Sequence, residues 1–536
     1  MRWWLVALGA VGLLTAFAQS RFVTQPGYMD ACYAYNGGYA IAAGQGWNDS
    51  YLWNYLDDPT TIPHPAHTYW MPLPSFVAAL GLWLGGLTFR GAQVPFIILA
   101  AALPPLAGLA GWVLTRDDRR ALLAGLLAAF TGFYTAYTTT TDGFPLYALI
   151  ATGVFLLTGE ALAQRRADLW LAVGGLLGFA HLTRADGLLL LAVVLAFVWA
   201  QVPRRNPSDP PAVMPRRAAG SRVVAVGLIL VGYLAISGIW FVRNQLILGT
   251  LFPGGGLRTL WLTEYDEFFH YPASDLGLPH LLASGWPAVL RARGAALLEN
   301  LQTMAVVQGW VVLAPFVLAG LWHLRSRRDV QLAVGYLIAL FAAMTLAFPW
   351  PGARGGYFHS SAAFIPFLAA AASVGIGRSV QWVANRRGWV LSQATAVFDG
   401  AAVVLAVGVT VFLFAGRVIG TGQGGVAWSR QDHAYAEAGT LIRADGSPAP
   451  VVAVNNPPCF YYQAMLPAVV IPHGGPSALE AVVRRYGVTH VIVDRNLPND
   501  LAPSFEGEKA LTWLEPVSAI ADESGASLRI YRVRLP

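Results

Sequence analysis

A few carboxylates and guanidinium groups stand where an otherwise apolar chain has little reason to put them. Asp30 lies in QPGYMDACYAYNGGYAIAAGQGW, just past the first apolar run, among Tyr28, Tyr33, Tyr35 and Tyr39. Tyrosine faces and hydroxyls suit sugar rings, and this surround is what singles out Asp30 as a candidate functional group. The plainer readings are a turn residue and aromatics anchoring a membrane interface. Asp142 ends TTTTD before GFPLY, where a helix N-cap is the plain reading. Arg184 and Asp186 share HLTRADG and form at least a local ion pair, worth little if exposed. Arg243 and Asn244 close WFVRNQLILG, and Arg354 sits in FPWPGARGGYF. Arginine presents five donors in a planar fork suited to phosphate. Three such residues at the ends of apolar helices point together to an anionic headgroup, although ordinary lipid contact explains each singly about as well. His64 and His67 in IPHPAHTYW, with Asp57, Asp58 or Asp30, are candidate ligands for a divalent metal ion. No other cofactor is indicated.

These residues need a membrane scaffold to hold them. Hydrophobic residues make up 56% of the 536-residue chain and charged residues 12%, about half the charged share of a soluble domain. The bilayer is the first partner implied. Candidate spans fall near 3–20, 92–114, 121–140, 143–163, 168–185, 187–202, 222–242, 303–323, 330–349, 360–377 and 395–416, each near the length of about 20 apolar residues that crosses a bilayer. Threading these eleven alternately puts every arginine-clustered short loop on one side: Arg116, Arg119 and Arg120; Arg165 and Arg166; Arg204, Arg205, Arg216, Arg217 and Arg222; Arg325, Arg327 and Arg328; Arg378, Arg386 and Arg387. By the positive-inside rule that side is cytoplasmic. The net charge of +6 is thereby absorbed by topology and does not indicate a nucleic-acid partner. The expected location is the inner (plasma) membrane, with the N-terminus inside and everything after about 417 outside.

The stretch 69–89 is apolar enough to span, but counting it would reverse the arginine parity, so it is predicted to lie at the outer interface, with Tyr69 and Trp70 at headgroup level. Ala16-Phe17-Ala18 resembles a signal-peptidase site; cleavage there would leave the later topology unchanged. The catalytic membrane domain is predicted over 1–419, with large outer loops at 21–91 and 244–302. The Pro/Arg-rich stretch 203–222 reads as a flexible cytoplasmic linker. Residues 420–536 read as a small extracytoplasmic α/β domain, with strand-like runs at 450–454, 467–471 and 488–493 around a helix at 477–486. The tail has no glycine-rich phosphate loop and no recognisable triad. Cys32 and Cys459 both fall outside, where they either bridge the first loop to the tail or remain two thiols.

The order of these features resembles the membrane glycosyltransferases of the GT-C fold, in the protein-mannosyltransferase and aminoarabinose-transferase-like branch. A first outer loop has an early Asp and a YWMPLP interfacial helix. A threonine-rich helix end with a carboxylate follows, then GLLGFAHLTRADGLLLL and WFVRNQLILG. The likeness covers roughly residues 1–380. It implies a polytopic α-helical protein that takes a monosaccharide from a polyprenyl-phosphate carrier and passes it, with inversion, to a glycan, lipid or protein acceptor. The resemblance further implies Asp30 as general base and Arg184, Arg243 and Arg354 as binders of the departing phosphate. Asp142, Asp186, Tyr28, Tyr33, Asn244 and Tyr357 would position sugar or acceptor. Many relatives pair adjacent acidic residues in the first loop, whereas Met29 and Ala31 flank Asp30. The tail lacks the WWDYG-type signature of the oligosaccharyltransferase branch. Two other function classes fit parts of the pattern. A transporter would place polar and helix-breaking residues at midspan, and here they gather at helix ends. A non-catalytic assembly or sensory protein would use the tail and the aromatic first loop as binding surfaces.

Overall fold

A computed structural model of the protein describes residues 2–202, 221–420, 427–505, 511–521 and 527–535, with the side chains of 429–432 and 527 left aside. The predicted linker at 203–222 falls almost wholly outside the described residues. Helices α1 (Trp3–Phe22), α2 (Met29–Ala42), α3 (Leu73–Gly85), α4 (Phe89–Thr115), α5 (Asp118–Ala129), α6 (Phe144–Gln164), α7 (Ala167–Thr183), α8 (Gly187–Gln201) and α9 (Arg222–Leu248) come first. After the second long loop follow α10 (Gly285–Thr303), α11 (Ala314–His323), α12 (Arg328–Ala342), α13 (Ile365–Arg387) and α14 (Leu391–Phe414).

Among the described residues, seven helical stretches are long and apolar enough to cross a bilayer: Trp3–Phe22, Phe89–Thr115, Phe144–Gln164, Arg222–Leu248, Arg328–Ala347, Pro349–Arg387 and Leu391–Ile419. The other four expected spans are present but short or broken. α7 and α8 have 17 and 15 residues. The segment 303–323 breaks between a π-turn and α11. The segment 121–140 stops after the 12 residues of α5. Hydropathy registers apolar residues, not helix continuity. Beyond α5 the chain runs irregularly through 130–143, and nearly all of it is buried. In an apolar surround such backbone is tolerated only when its polar groups find partners inside the protein. Here Gly132 N–H donates to Thr410 Oγ1 at 3.0 Å, Trp310 Nε1 donates to the Phe130 carbonyl at 3.0 Å, and Thr131 and Thr135 hydroxyls pair at 3.0 Å. The interfacial segment expected at 69–89 forms α3, whose 13 residues end at Gly85 with Gly86 as the cap.

Small residues set the helix spacing, as in other membrane bundles, where close approach replaces the hydrophobic effect as the source of cohesion. A Cβ on Gly174 would strike the Ile229 carbonyl of α9, and one on Gly232 the Leu171 carbonyl of α7. Gly320 and Gly375 bring α11 and α13 together in the same way against Ala371 and Phe316. α13 is the central helix: every residue from 361 to 376 is buried.

The tail folds around three parallel strands, β4 (Val452–Ala453), β5 (Ala468–Val469) and β6 (His490–Val493), followed by the antiparallel pair β7 (Leu514–Ala521) and β8 (Ser527–Val533). Helices α15 (Arg430–Ala444), α16 (Pro457–Ala464) and α17 (Gly475–Tyr486) cover it. The expected strand runs and helix are all found. The sheet is not the tail's alone, however. Of the first loop's short strands β1 (Asn48–Asp49), β2 (Tyr51–Leu52) and β3 (His64–Pro65), β2 pairs in parallel with β5 and forms the edge of the six-stranded sheet β2-β5-β4-β6-β8-β7. Cys32 of α2 and Cys459 of α16 are joined as a disulfide, so of the two readings the sequence left open the bridge is the one realised. The first loop and the tail thus share a sheet and a covalent bond, and both bear on α2, which carries Asp30 in its first turn.

Candidate active site

Asp30, Asp142 and Arg184 come from three separate elements and converge. α2 begins at Met29, and Asp30 in its first turn meets the favourable end of the helix dipole. The threonine run places the second carboxylate against it. Thr140 Oγ1 donates to the Pro26 carbonyl at 3.0 Å, and Thr141 Oγ1 donates to the Ala31 carbonyl at 2.7 Å. These bonds stitch the irregular segment to the residues on either side of Asp30. Asp142 does not cap the following helix through its side chain. Instead its carboxylate accepts the Tyr28 hydroxyl at 2.5 Å and the Gly143 N–H.

His359 completes the group from the short helix Tyr357–Ser361 that leads into the central helix. Its Nε2 lies 3.6 Å from Asp30 Oδ2 and its Nδ1 3.5 Å from Asp142 Oδ2. One imidazole therefore faces both carboxylates, packed at 4.3 Å between ring centroids on Phe144. Arg184 Nε donates to Asp186 Oδ1 at 3.0 Å and to Ser360 Oγ at 2.9 Å, and its charge reaches Asp30 and Asp142. The Arg184–Asp186 pair is not the exposed ion pair of the plain reading, since the two side chains are only 18% and 12% accessible. Asp186 Oδ2 is buried and has no hydrogen-bond partner among the described residues.

Burial, and then the neighbouring charge of Asp142, push the Asp30 carboxyl up to about 7, while Arg184 pulls the other way. Burial also raises Asp142, against the hydrogen bonds from Tyr28 and Gly143. Arg354 stands at the rim. Its guanidinium lies 4.3 Å from the Tyr265 ring, at a kink where Gly355 takes φ 120°. Among the described residues it has no carboxylate partner, and it is exposed. Tyr265 and Tyr69 both feel the charge of Asp30, which places this edge beside the carboxylates.

Several expected site residues lie elsewhere. Tyr33 donates to Asp49 Oδ2 at 2.7 Å, and its oxygen accepts the His67 N–H at 2.7 Å. Arg243 binds the Ala66 carbonyl at 2.8 Å and Asn244 Oδ1 at 3.0 Å, and Asn244 donates to the Leu251 carbonyl at 3.2 Å. These residues build a second buried polar cluster that holds the first loop in shape around Asp49. Burial raises the Asp49 carboxyl to about 6 against the pull of His64. Tyr357 is fully buried and donates to Gln308 Oε1 at 3.2 Å.

Of the expected metal ligands, the fold gathers Asp30 alone into a candidate site, with partners the sequence reading did not name. Asp30, Asp142 and His359 each offer an atom within 4.8 Å of the other two, the one such trio among the described residues. Two carboxylates and an imidazole suit a divalent ion. Neither His64 nor His67 belongs to it. His64 Nε2 faces the Tyr51 carbonyl at 3.2 Å. His67 sits in a left-handed turn at φ 62° with its ring against Tyr33 and Trp240, and burial beside Arg243 drives its pKa down to about 3.

His359 and Ser360 are the participants that sequence reasoning missed. The available signal was a titratable residue inside an apolar helix, in YFHSSAAF.

No protein-family model matches the chain, and no curated protein sequence matches it. Solved structures do. ArnT from Cupriavidus metallidurans bound to undecaprenyl phosphate superposes with a TM-score of 0.56 at 14% identity, over 99% of this chain and 98% of that one. The archaeal oligosaccharyltransferase AglB from Archaeoglobus fulgidus, in complex with an inhibitory peptide and a dolichol-phosphate, gives 0.54 at 14%, over 98% and 74%. The mycobacterial arabinofuranosyltransferase AftD gives 0.50 at 14%, over 100% of this chain and 42% of that one. The chain has the GT-C fold of these polytopic membrane proteins.

Proposed function

We propose that this protein is a glycosyltransferase that moves a monosaccharide from a polyprenyl-phosphate carrier to an acceptor hydroxyl at the extracytoplasmic face of the membrane, with inversion and with Asp30 as general base. The observation that carries this reading is the convergence of Asp30, Asp142, His359 and Arg184 at one buried junction of α2, the threonine segment and the central helix. The arginine parity of the short loops supports the sidedness, and the structural neighbours bound to undecaprenyl phosphate and to a dolichol-phosphate support the donor class.

Asp30 accepts the proton of the acceptor hydroxyl as its oxygen bonds to C1 of the sugar. The bond from C1 to the carrier phosphate breaks on the opposite face, and its electron pair leaves with the phosphate. A carboxyl held near 7 is matched to this task, because a base works best when its pKa lies near the operating pH. Arg184, already oriented by Asp186 and Ser360, faces the charge that develops on the departing phosphate. Arg354 presents its exposed guanidinium from the rim. Such donors count most where water is excluded. Asp142, fixed by Tyr28 and Gly143, orients sugar or acceptor hydroxyls. Asp186, buried with one oxygen unpartnered among the described residues, serves Arg184. Arg243, Asn244 and Tyr33 act through the first loop's shape. A divalent ion, when bound, would be held by Asp30, Asp142 and His359 and would supply positive charge beside the phosphate. The wild-type protein in detergent is expected to convert a polyprenyl-phosphate monosaccharide to free polyprenyl phosphate in an acceptor-dependent manner. Absence of turnover across a panel of such donors, with lipid and glycan acceptors supplied, would count against the reading.

A further inference from the structure

Away from the active site, the second long loop meets the tail at a pair of histidines. Tyr271 N–H donates to the His473 carbonyl at 3.0 Å and His473 N–H to the Phe269 carbonyl at 2.9 Å, an isolated parallel bridge between His270 and His473. The backbone thus presents both imidazoles side by side, with their Nδ1 atoms 3.0 Å apart. The far nitrogen of each ring faces carboxylates. His270 Nε2 is 3.4 Å from Asp275, and His473 Nε2 is 3.7 Å from Glu264 and 3.8 Å from Asp500. A carboxylate beside Nε2 holds the proton on that nitrogen. His270 Nε2 is within hydrogen-bond reach of Asp275, which leaves the His270 Nδ1 lone pair facing His473 Nδ1, where it accepts either an N–H from His473 or a bond to a cation. Among the described residues these three carboxylates have no ion-pair partner besides the two histidines. The surround is therefore strongly anionic.

We propose that His270 Nδ1 and His473 Nδ1 are the protein ligands of a zinc-class divalent transition-metal ion that clips the second loop to the tail. Two imidazoles on a tetrahedral ion at about 2.05 Å place their nitrogens roughly 3.3 Å apart, close to the separation already present. Imidazoles whose other N–H meets a carboxylate are the usual form of histidine ligand. Water completes the coordination, reaching rings that keep 17–18% of their accessibility. The clip bears on the active site because the same loop carries Tyr265, on which Arg354 stacks. The proposal does not depend on the glycosyltransferase reading.

The test uses the full-length protein in detergent, stripped with chelator and given stoichiometric zinc, in a His359→Ala background that removes the Asp30–Asp142–His359 trio. Bound metal is measured after gel filtration. One equivalent of zinc is expected to be retained, and to be lost when His473→Ala or His270→Ala is added. Asp275→Asn, at a half-exposed side chain that the fold does not need, should weaken binding by about 10–100-fold and guards against misfolding of the histidine variants. Retention of no zinc by His359→Ala overturns the proposal, as does equal retention by the His473→Ala double variant. A protein whose thermal midpoint responds to pH and not to zinc would show a shared proton in the ion's place, and also overturns it.

Discussion

Asp142→Asn is the most informative single change, because it removes a charge while keeping the shape. The amide oxygen can keep the Gly143 N–H bond while the amide NH2 donates to the Tyr28 hydroxyl oxygen, so the threonine segment stays in place. What disappears is the repulsion that helps hold Asp30 near 7. The coordinating atoms of Asp30 and Asp142 lie within 4.8 Å of one another. Two unit charges at that distance repel by about 3 kcal/mol at an effective dielectric of about 20. Arg184 offsets part of this, and the Asp30 side chain keeps 28% of its accessibility, so solvent screens more. The expected fall in the Asp30 pKa is about one to two units. Burial, the larger cause, stays, which keeps it above an ordinary carboxylate. The base works ionised, so kcat/KM declines as pH drops through its pKa. The wild-type acidic limb should therefore lie near pH 7 and the variant's limb at distinctly lower pH, under a reduced plateau. The assay is a pH profile of carrier release in chelator-treated buffer. A limb that stays in place, or moves to higher pH, refutes the coupling of the two carboxylates.

Arg184→Lys loses the planar fork that engages Asp186 and Ser360, and kcat/KM for the donor should fall by about 10²–10³-fold in steady-state kinetics. Thr141→Val removes the hydroxyl bond to the Ala31 carbonyl, at a cost of about 0.5–1.5 kcal/mol; a lower thermal midpoint should accompany a kcat loss larger than the KM change. Cys32→Ser with Cys459→Ser opens a bridge across 427 residues of sequence. The cost, about 2–5 kcal/mol, should appear as a lower melting temperature in the absence of reductant. Asp30→Asn should raise the thermal midpoint at pH 8 and leave it unchanged at pH 4. A folded-state pKa above the unfolded value means the ionised carboxyl opposes folding, and that opposition is absent once the group is protonated.

The sequence was most legible where apolar runs and helix ends coincide. Asp30, Asp142, Arg184 and Asp186 could be read as one group because each sits beside a span end on the same predicted side, and the fold brings them together. Arg243, Tyr33 and Asn244 carry the same signature yet surround Asp49. Sidedness puts residues on a face, but not in one of two clusters on that face. Tyr357 and His359 differ by two positions, about 200° around a helix, so Tyr357 turns to Gln308 while His359 turns to the carboxylates. The break after α5 was hidden because the residues of 130–143 are nearly all buried, as those of a packed helix would be. The pairing of β2 with the tail and the Cys32–Cys459 bond span too much chain for any local pattern to register.

The central claim is that the Asp30 carboxylate takes the acceptor's proton. Its most direct test is the turnover of a polyprenyl-phosphate sugar by Asp30→Asn, a near-isosteric change, with binding of the carrier lipid measured on the same preparation. The account predicts a fall in kcat of about 10²–10⁴-fold with carrier affinity preserved through Arg184 and Arg354. Turnover at the wild-type rate by a variant that binds the carrier normally would contradict it.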